Sequence, residues 1–219
     1  MPDGAMSMVW MRMPGQTWLG VAGAFLGMWV AMMVAMMLPS LVPMLWRYRR
    51  AVRSPDDTRL VRLTALVAVG YFVVWTSVGM IAFPLGVTLA AIEMHQPALA
   101  RAAPIAAGAV VLIAGVFQYT RWKAQHLAFC REAPGRGRML AADASAAWRH
   151  GLHLGLHCAY SCAGLTAVVF VLGMMDLRVM AGVTAAITAE RLAPAGVRVA
   201  RAVGVVVIGA GLFLIVGGG

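Results

Sequence analysis

Residues 27–40 read Gly-Met-Trp-Val-Ala-Met-Met-Val-Ala-Met-Met-Leu-Pro-Ser and contain five methionines. Helical geometry places these methionines on two neighbouring stripes, one formed by Met28, Met32 and Met36 and the other by Met33 and Met37. Pro39 lacks a backbone donor, so we expect the helix to kink or loosen just past the thioethers. The segment therefore predicts an apolar helix with a one-sided thioether surface. The ordinary alternative is that methionine only fills gaps in an apolar core.

The rest of the chain is equally apolar. Of its 219 residues, 62% are hydrophobic and only 12% are charged, whereas soluble domains have about a quarter charged residues. Runs near the length of about 20 apolar residues that a membrane-spanning helix needs recur along the chain. The composition predicts an all-α protein, a polytopic transmembrane helical bundle of about six spans.

The apolar runs also suggest a domain organisation. We expect residues 1–16 to form a Met-rich, non-cytoplasmic tail and residues 17–219 to form a single transmembrane helical domain. The expected spans, in order, are roughly 17–46, 61–83, 103–121, 148–173, 177–190 and 200–217. The fifth is the shortest. We expect the third to continue beyond the membrane as a helix through Cys130.

The basic residues predict the orientation. Fifteen of the 18 Lys and Arg lie after the first, third and fifth expected spans, and the positive-inside rule assigns such loops to the cytoplasm. Both termini are therefore expected outside the cytoplasm. The expected location of the protein is the bacterial inner membrane. The net charge of +10 is explained by topology and lipid-headgroup contacts, so we expect membrane lipid and other membrane subunits as partners, and no nucleic acid.

The fourth expected span carries two sets of metal-ligating side chains. His150, His153 and His157 lie on one arc of a helix, and Cys158 and Cys162 form an i, i+4 pair beside that arc. Nitrogen and sulfur at these spacings can share one metal ion, and such side chains are costly in a membrane unless they have a role. For His150 we favour an interfacial position. For His157 and the cysteines, a metal or redox site and an ordinary buried position both stay open.

A second group lies at the end of the third expected span. His126 and Cys130 are four residues apart, and a continuous helix would place Tyr119 and Lys123 on the same face. We interpret Lys123 and Arg131 as solvated residues that reach lipid headgroups. His126 and Cys130 are both metal-ligand types, and they are rare in this chain.

The predicted topology brings these groups to one level on the cytoplasmic side of the membrane. The resulting candidate metal ligands are Met33, Met36, Met37, His126, Cys130, His153, His157, Cys158 and Cys162. We assign no catalytic residues and no cofactor-binding residues.

The Met-rich stretch also resembles the first signature of a bacterial family of predicted metal-binding integral membrane proteins, a domain of unknown function with a Met-rich first helix. The second and third signatures of that family resemble residues 118–131 and 155–162, the latter followed by 173–176 and 190–191. The likeness covers roughly residues 25–192. The family more often has cysteine where this chain has His126 and Ser161. The resemblance implies a metal-binding membrane protein with more imidazoles and fewer thiols than its relatives.

Our leading hypothesis is a non-enzymatic membrane protein that binds or hands on copper. Thioether and thiolate ligands select Cu(I), and imidazole tolerates it. Zinc fits less well because the many methionines would have no role. One alternative is a haem- or copper-bearing subunit of a membrane oxidoreductase, with His126, His153 and His157 as candidate axial haem ligands. The other is an auxiliary subunit that only packs against a larger membrane complex.

Overall fold

A computed structural model describes residues 17–52, 56–95, 97–133, 142–174 and 176–217. Within these ranges the chain forms seven α-helices, which confirms the all-α prediction. They are α1 (Trp18–Ala51), α2 (Asp57–His95), α3 (Pro97–Phe117), α4 (Arg121–Glu132), α5 (Ala144–Leu172), α6 (Leu177–Leu192) and α7 (Gly196–Gly217). The expected Met-rich tail, residues 1–16, lies outside the described residues.

Helix α1 continues without interruption through Pro39 and Pro43. The Thr17 side chain accepts from the Gly20 amide and caps its first turn. Pro39 leaves the Ala35 carbonyl without its usual donor, but both residues lie on the exposed side of the helix. The helix therefore does not break after the thioethers, because the lost hydrogen bond lies away from the packed methionine side.

Four of the seven described helices are long and apolar enough to cross a membrane, namely α1, α2 over Asp57–Ile92, α5 and α7. Helices α3 and α4 would add a fifth crossing if together they make one bent span. Helix α6 has 16 residues, fewer than the about 20 that a full crossing needs. The expected count of six spans is therefore not confirmed.

The expected continuation of the third span as one helix through Cys130 is wrong. The helix ends at Phe117, and α4 starts at Arg121 with its axis turned by 65°. The Thr120 side chain accepts from the Lys123 amide and caps the new helix. Because of this turn, the buried face of α4 packs against α5 and carries Cys130 into the core.

Helix α5 lies at the centre of the bundle and packs against α2, α3, α4 and α6. Its N-cap is Asp143, whose side chain accepts from the Ser145 and Ala146 amides. The Ser145 hydroxyl also donates to this carboxylate, and these bonds hold the pKa of Asp143 below its usual value. Gly151 and Gly155 let α5 approach the α2 backbone closely, because a Cβ at either position would meet a main-chain carbonyl oxygen.

Helices α1 and α5 run antiparallel and meet through large side chains at three levels. The contacts, from one end to the other, are Trp29 with Phe170, Met37 with Cys158, and Tyr48 with His150. Helix α7 packs along α3 in the same antiparallel sense, with Gly204 against Gly115 and Gly211 against Gly108. The three pairings between α1 and α5 set the register of these two helices, that is, which of their residues lie at the same height along the bundle.

The close approach of α5 to α2 predicts that Gly151→Ala is destabilising. The added methyl group would meet the Val67 carbonyl oxygen, and overpacking of this kind costs about 1–3 kcal/mol. We expect a lower Tm in detergent. Gly209→Ala is the matched control, because a Cβ there meets nothing within 4 Å. An unchanged Tm for Gly151→Ala would contradict the described packing of α2 on α5.

Candidate metal centre

A buried cluster of sulfur atoms is centred on Cys158, in the middle of α5. Its Sγ lies 3.9 Å from the Met37 Sδ of α1 and 2.8 Å from the Tyr71 hydroxyl of α2. All three side chains are buried. A thiol and a thioether from two different helices therefore meet inside the bundle, where water does not compete for them.

Cys162 lies one helical turn after Cys158, so both thiols project from the same buried face of α5. Both side chains are buried. Ser161 lies beside them and donates its hydroxyl hydrogen to the Cys158 carbonyl at 3.0 Å. This face of α5 thus combines two thiols and a hydroxyl.

The Arg191 guanidinium lies against both thiols. Its Nη2 is 2.7 Å from the Cys158 Sγ and 3.3 Å from the Cys162 Sγ. Its Nη1 donates to the Ser40 hydroxyl of α1 at 3.2 Å. The residue is only 3% exposed, and within the described ranges its Nε has no hydrogen-bond partner. One side chain from the end of α6 therefore connects α1 and α5 at the level of the thiols.

Cys130 borders the same cluster from α4. Its thiol is fully buried and belongs to the same buried core cluster as Cys158 and Cys162. The three cysteines of the chain, all free thiols, thus lie in one region. The turn between α3 and α4 is what brings Cys130 there.

A buried ion pair lies beside the thiols. The Lys123 Nζ is 2.8 Å from a Glu190 carboxylate oxygen, with side-chain exposures of 1% and 2%. Lys123 also donates to the Gln118 side chain. The interpretation of Lys123 as a solvated headgroup contact is wrong, because the tilt of α4 turns this side chain towards α6 and its carboxylate.

The imidazoles form a separate group. The His126 and His157 Nδ1 atoms are 2.7 Å apart, and the His157 ring stacks on Phe129 with centroids 3.8 Å apart. Both histidines are partly exposed and His153 is exposed. Adjacent residues on a helix differ by about 100° in direction, so His157 points to the surface while Cys158 points inward. The histidines and thiols expected in one centre occupy two places.

The buried side of α1 is lined with methionines. Met33, Met36 and Met37 are all buried, whereas Met28 is only partly buried. Of the three candidate ligands from this helix, Met37 is the one in contact with a thiol. Met33 and Met36 pack in the adjoining core.

In the part of the chain that the structure describes, no group of three or more His, Cys, Asp or Glu side chains is placed to hold a metal ion. The donors at this centre are instead two thiols and one thioether. Metal–sulfur bonds of about 2.3 Å at a tetrahedral angle separate two sulfur atoms by about 3.8 Å. The 3.9 Å between Cys158 and Met37 therefore suits two sulfur ligands of one ion.

A family of known proteins matches most of the chain. The model described as “PpoB2: Copper chaperone” covers residues 26–214. The chain belongs to this copper chaperone family. The matched range includes every residue of the sulfur cluster, from Met37 to Arg191. No curated protein and no solved structure matches the chain.

Family membership supports copper handling and agrees with the metal-binding part of the resemblance found in the sequence. It gives no support to haem.

Four residues of the centre were not among the ligand candidates, namely Ser40, Tyr71, Ser161 and Arg191. Arg191 carried a usable signal, because a charged residue in an apolar helix usually has a specific role. Tyr71 and Ser40 carried none. Each is one polar residue in a long apolar helix, and only the packing of α1 and α2 on α5 brings them to the cysteines.

The ion pair next to the centre yields a stability prediction. Lys123→Met leaves Glu190 without its cation, and breaking a buried pair in this way costs about 3–5 kcal/mol. The double variant Lys123→Met/Glu190→Gln should recover much of that loss, as measured by Tm in detergent. The matched control is Arg121→Met on the exposed side of α4, which we expect to leave Tm unchanged. Equal Tm values for wild type and Lys123→Met would show that the pair is not buried.

Proposed function

We propose that this chain binds Cu(I) within a membrane-embedded helical bundle and hands it on. The proposed ligands are the Cys158 and Cys162 thiolates and the Met37 thioether. The observation that carries the proposal is the 3.9 Å contact between the Met37 and Cys158 sulfur atoms, with the Cys162 thiol on the same buried face. Membership of the copper chaperone family supports copper as the metal.

The donor set favours the monovalent state of copper. Thiolate and thioether sulfur are soft ligands and select Cu(I), whereas carboxylates and water suit harder ions. The side chains of Met37, Cys158 and Cys162 are buried inside the bundle. Burial excludes the water that would favour Cu(II).

Transfer is supported by the methionines that continue along α1. Met33, Met36 and Met44 are buried on the same helix as Met37. Thioethers are neutral ligands, so they hold copper without the tight charge pairing of a thiolate. We propose that they form a route along which the ion moves to and from the cysteines.

The proposed location is the inner half of the bacterial inner membrane, with lipid as the surrounding partner. Helix α6 has 16 residues from Leu177 to Leu192 and is therefore about 24 Å long. If Asp176 lies at the outer surface, Arg191 and the thiols lie well past the midplane of a core about 30 Å thick. Other membrane subunits are candidate recipients of the copper.

The ligand assignment predicts the effect of removing the thiols. Cys158→Ser/Cys162→Ser should lose high-affinity Cu(I) binding, because serine keeps the size of the side chain but not the soft donor. The measurement is an anaerobic titration of the detergent-purified protein against a coloured Cu(I) chelator. Undiminished Cu(I) binding by this variant would place the copper site elsewhere.

A methionine pair tests the thioether. We expect Met37→Leu to weaken Cu(I) binding by at least about tenfold in the same titration. Met28 lies on the same helix but is only partly buried, so Met28→Leu is the matched control and should leave the affinity unchanged. Equal losses for both variants would indicate a general packing effect and would remove Met37 from the ligand set.

The topology is tested by fusions at Gly219. Helix α1 runs antiparallel to α5, α3 and α4 also run antiparallel to α5, and α7 runs antiparallel to α3. These directions support a bundle whose first and last helices have their free ends on one side. We propose that this side is outside the cytoplasm, following the basic residues. A periplasmic reporter enzyme fused there should be active. Activity of a cytoplasm-specific reporter instead would rule out this topology.

A further inference from the structure

The Arg191 guanidinium is a buried cation whose neighbours are mostly neutral groups. Its polar contacts are the two thiols and the hydroxyls of Ser40 and Ser161. A buried charge is costly unless an opposite charge accompanies it. Arginine does not lose its proton inside proteins, so this cation stays charged and needs an anion.

The nearby carboxylate is already paired. Glu190 lies within electrostatic range of Arg191, but its oxygens are 2.8 and 3.0 Å from the Lys123 ammonium. The two charges of this ion pair cancel. The centre therefore holds one net positive charge, which belongs to Arg191.

We propose that Arg191 is the counterion that makes this centre selective for monovalent over divalent soft metal ions. The inference rests on the proposed function, because it takes Cys158 and Cys162 as the two thiolate ligands. It adds a specificity-determining residue that is not itself a ligand.

The charge balance gives the reason. Two thiols that bind a monovalent ion release two protons to solvent and form a complex of charge −1, which Arg191 neutralises. Two thiols that bind a divalent ion also release two protons, but the complex is neutral and the guanidinium stays uncompensated. The Met37 thioether is neutral and changes neither sum. In a water-excluded bundle, the neutral combination is favoured.

The guanidinium is held where it can serve this role. Ser40 on α1 accepts from Nη1 and Ser161 on α5 lies 3.5 Å from Nη2, so two helices fix its plane beside the sulfur atoms. Bound metal would replace thiol hydrogens and leave two anionic sulfurs against the same Nη2. The contact therefore strengthens when a monovalent ion binds.

Silver(I) and cadmium(II) are suitable probes, because both are soft, redox-inert ions that bind thiolate and differ in charge. We measure the ratio of the Ag(I) to the Cd(II) affinity of the detergent-purified protein by competition with chelators. Arg191→Met should lower this ratio by at least about tenfold, through weaker Ag(I) binding and equal or tighter Cd(II) binding. Arg191→Gln should do the same and provides a polar substitute if the Met variant does not fold.

Two controls separate charge from packing. Arg191→Lys keeps the cation and should leave the ratio close to wild type. Arg178→Met removes an exposed arginine from the other end of α6 and should change nothing. A change in the affinity ratio that is confined to the variants without the charge would exclude a structural effect. Lost packing would weaken the binding of both ions together and leave the ratio unchanged.

The outcomes distinguish the two proposals. If Cys158→Ser/Cys162→Ser binds Ag(I) as well as wild type, the proposed copper site itself is wrong. If that variant loses binding but folded Arg191→Met and Arg191→Gln keep the wild-type ratio, only the counterion role is overturned. It is also overturned if Cys130→Ser abolishes binding. In that case three thiolates would hold the ion, the divalent complex would carry the charge of −1, and Arg191 would neutralise the divalent complex instead.

Discussion

The buried guanidinium of Arg191 is the constraint on which the centre depends. A permanent cation inside an apolar bundle must be surrounded by polar groups, and here these come from Ser40 on α1 and from the thiols of α5. Helices α1, α5 and α6 can surround this cation with polar groups only when the part of α1 that carries Met37 lies opposite Cys158. The contact that unites the sulfur ligands and the contact that solvates the cation are therefore parts of one arrangement.

The turn between α3 and α4 has the second largest consequence. It brings Lys123 to Glu190, so the carboxylate next to Arg191 is already neutralised, and it brings Cys130 to the edge of the thiol cluster. A straight helix would have carried both side chains away from the bundle. The separation of the imidazoles from the thiols follows from helical geometry, since His157 and Cys158 are adjacent residues and point in different directions.

Much of the architecture could be predicted from composition and periodicity. The apolar content predicted an all-helical chain, and the methionine spacing predicted the buried side of α1. The i, i+4 spacing of Cys158 and Cys162 predicted a shared face. The expected single centre containing both imidazole and thiol overlooked one consequence of spacing, because adjacent residues such as His157 and Cys158 point about 100° apart on a helix. A membrane level is a distance along the helices, whereas ligation depends on the direction in which each side chain points.

The sequence by itself determined which helices form and which faces are apolar, because both depend on local propensity and on a period of 3.6 residues. It also carried the Met, Cys and Arg residues of the centre. Tertiary structure alone decided which of them meet. Met37 and Cys158 are 121 residues apart and Arg191 is 33 residues from Cys158, so their contacts depend on the register between packed helices. No local pattern encodes that register, because it results from close glycine contacts and from the need to solvate a buried charge.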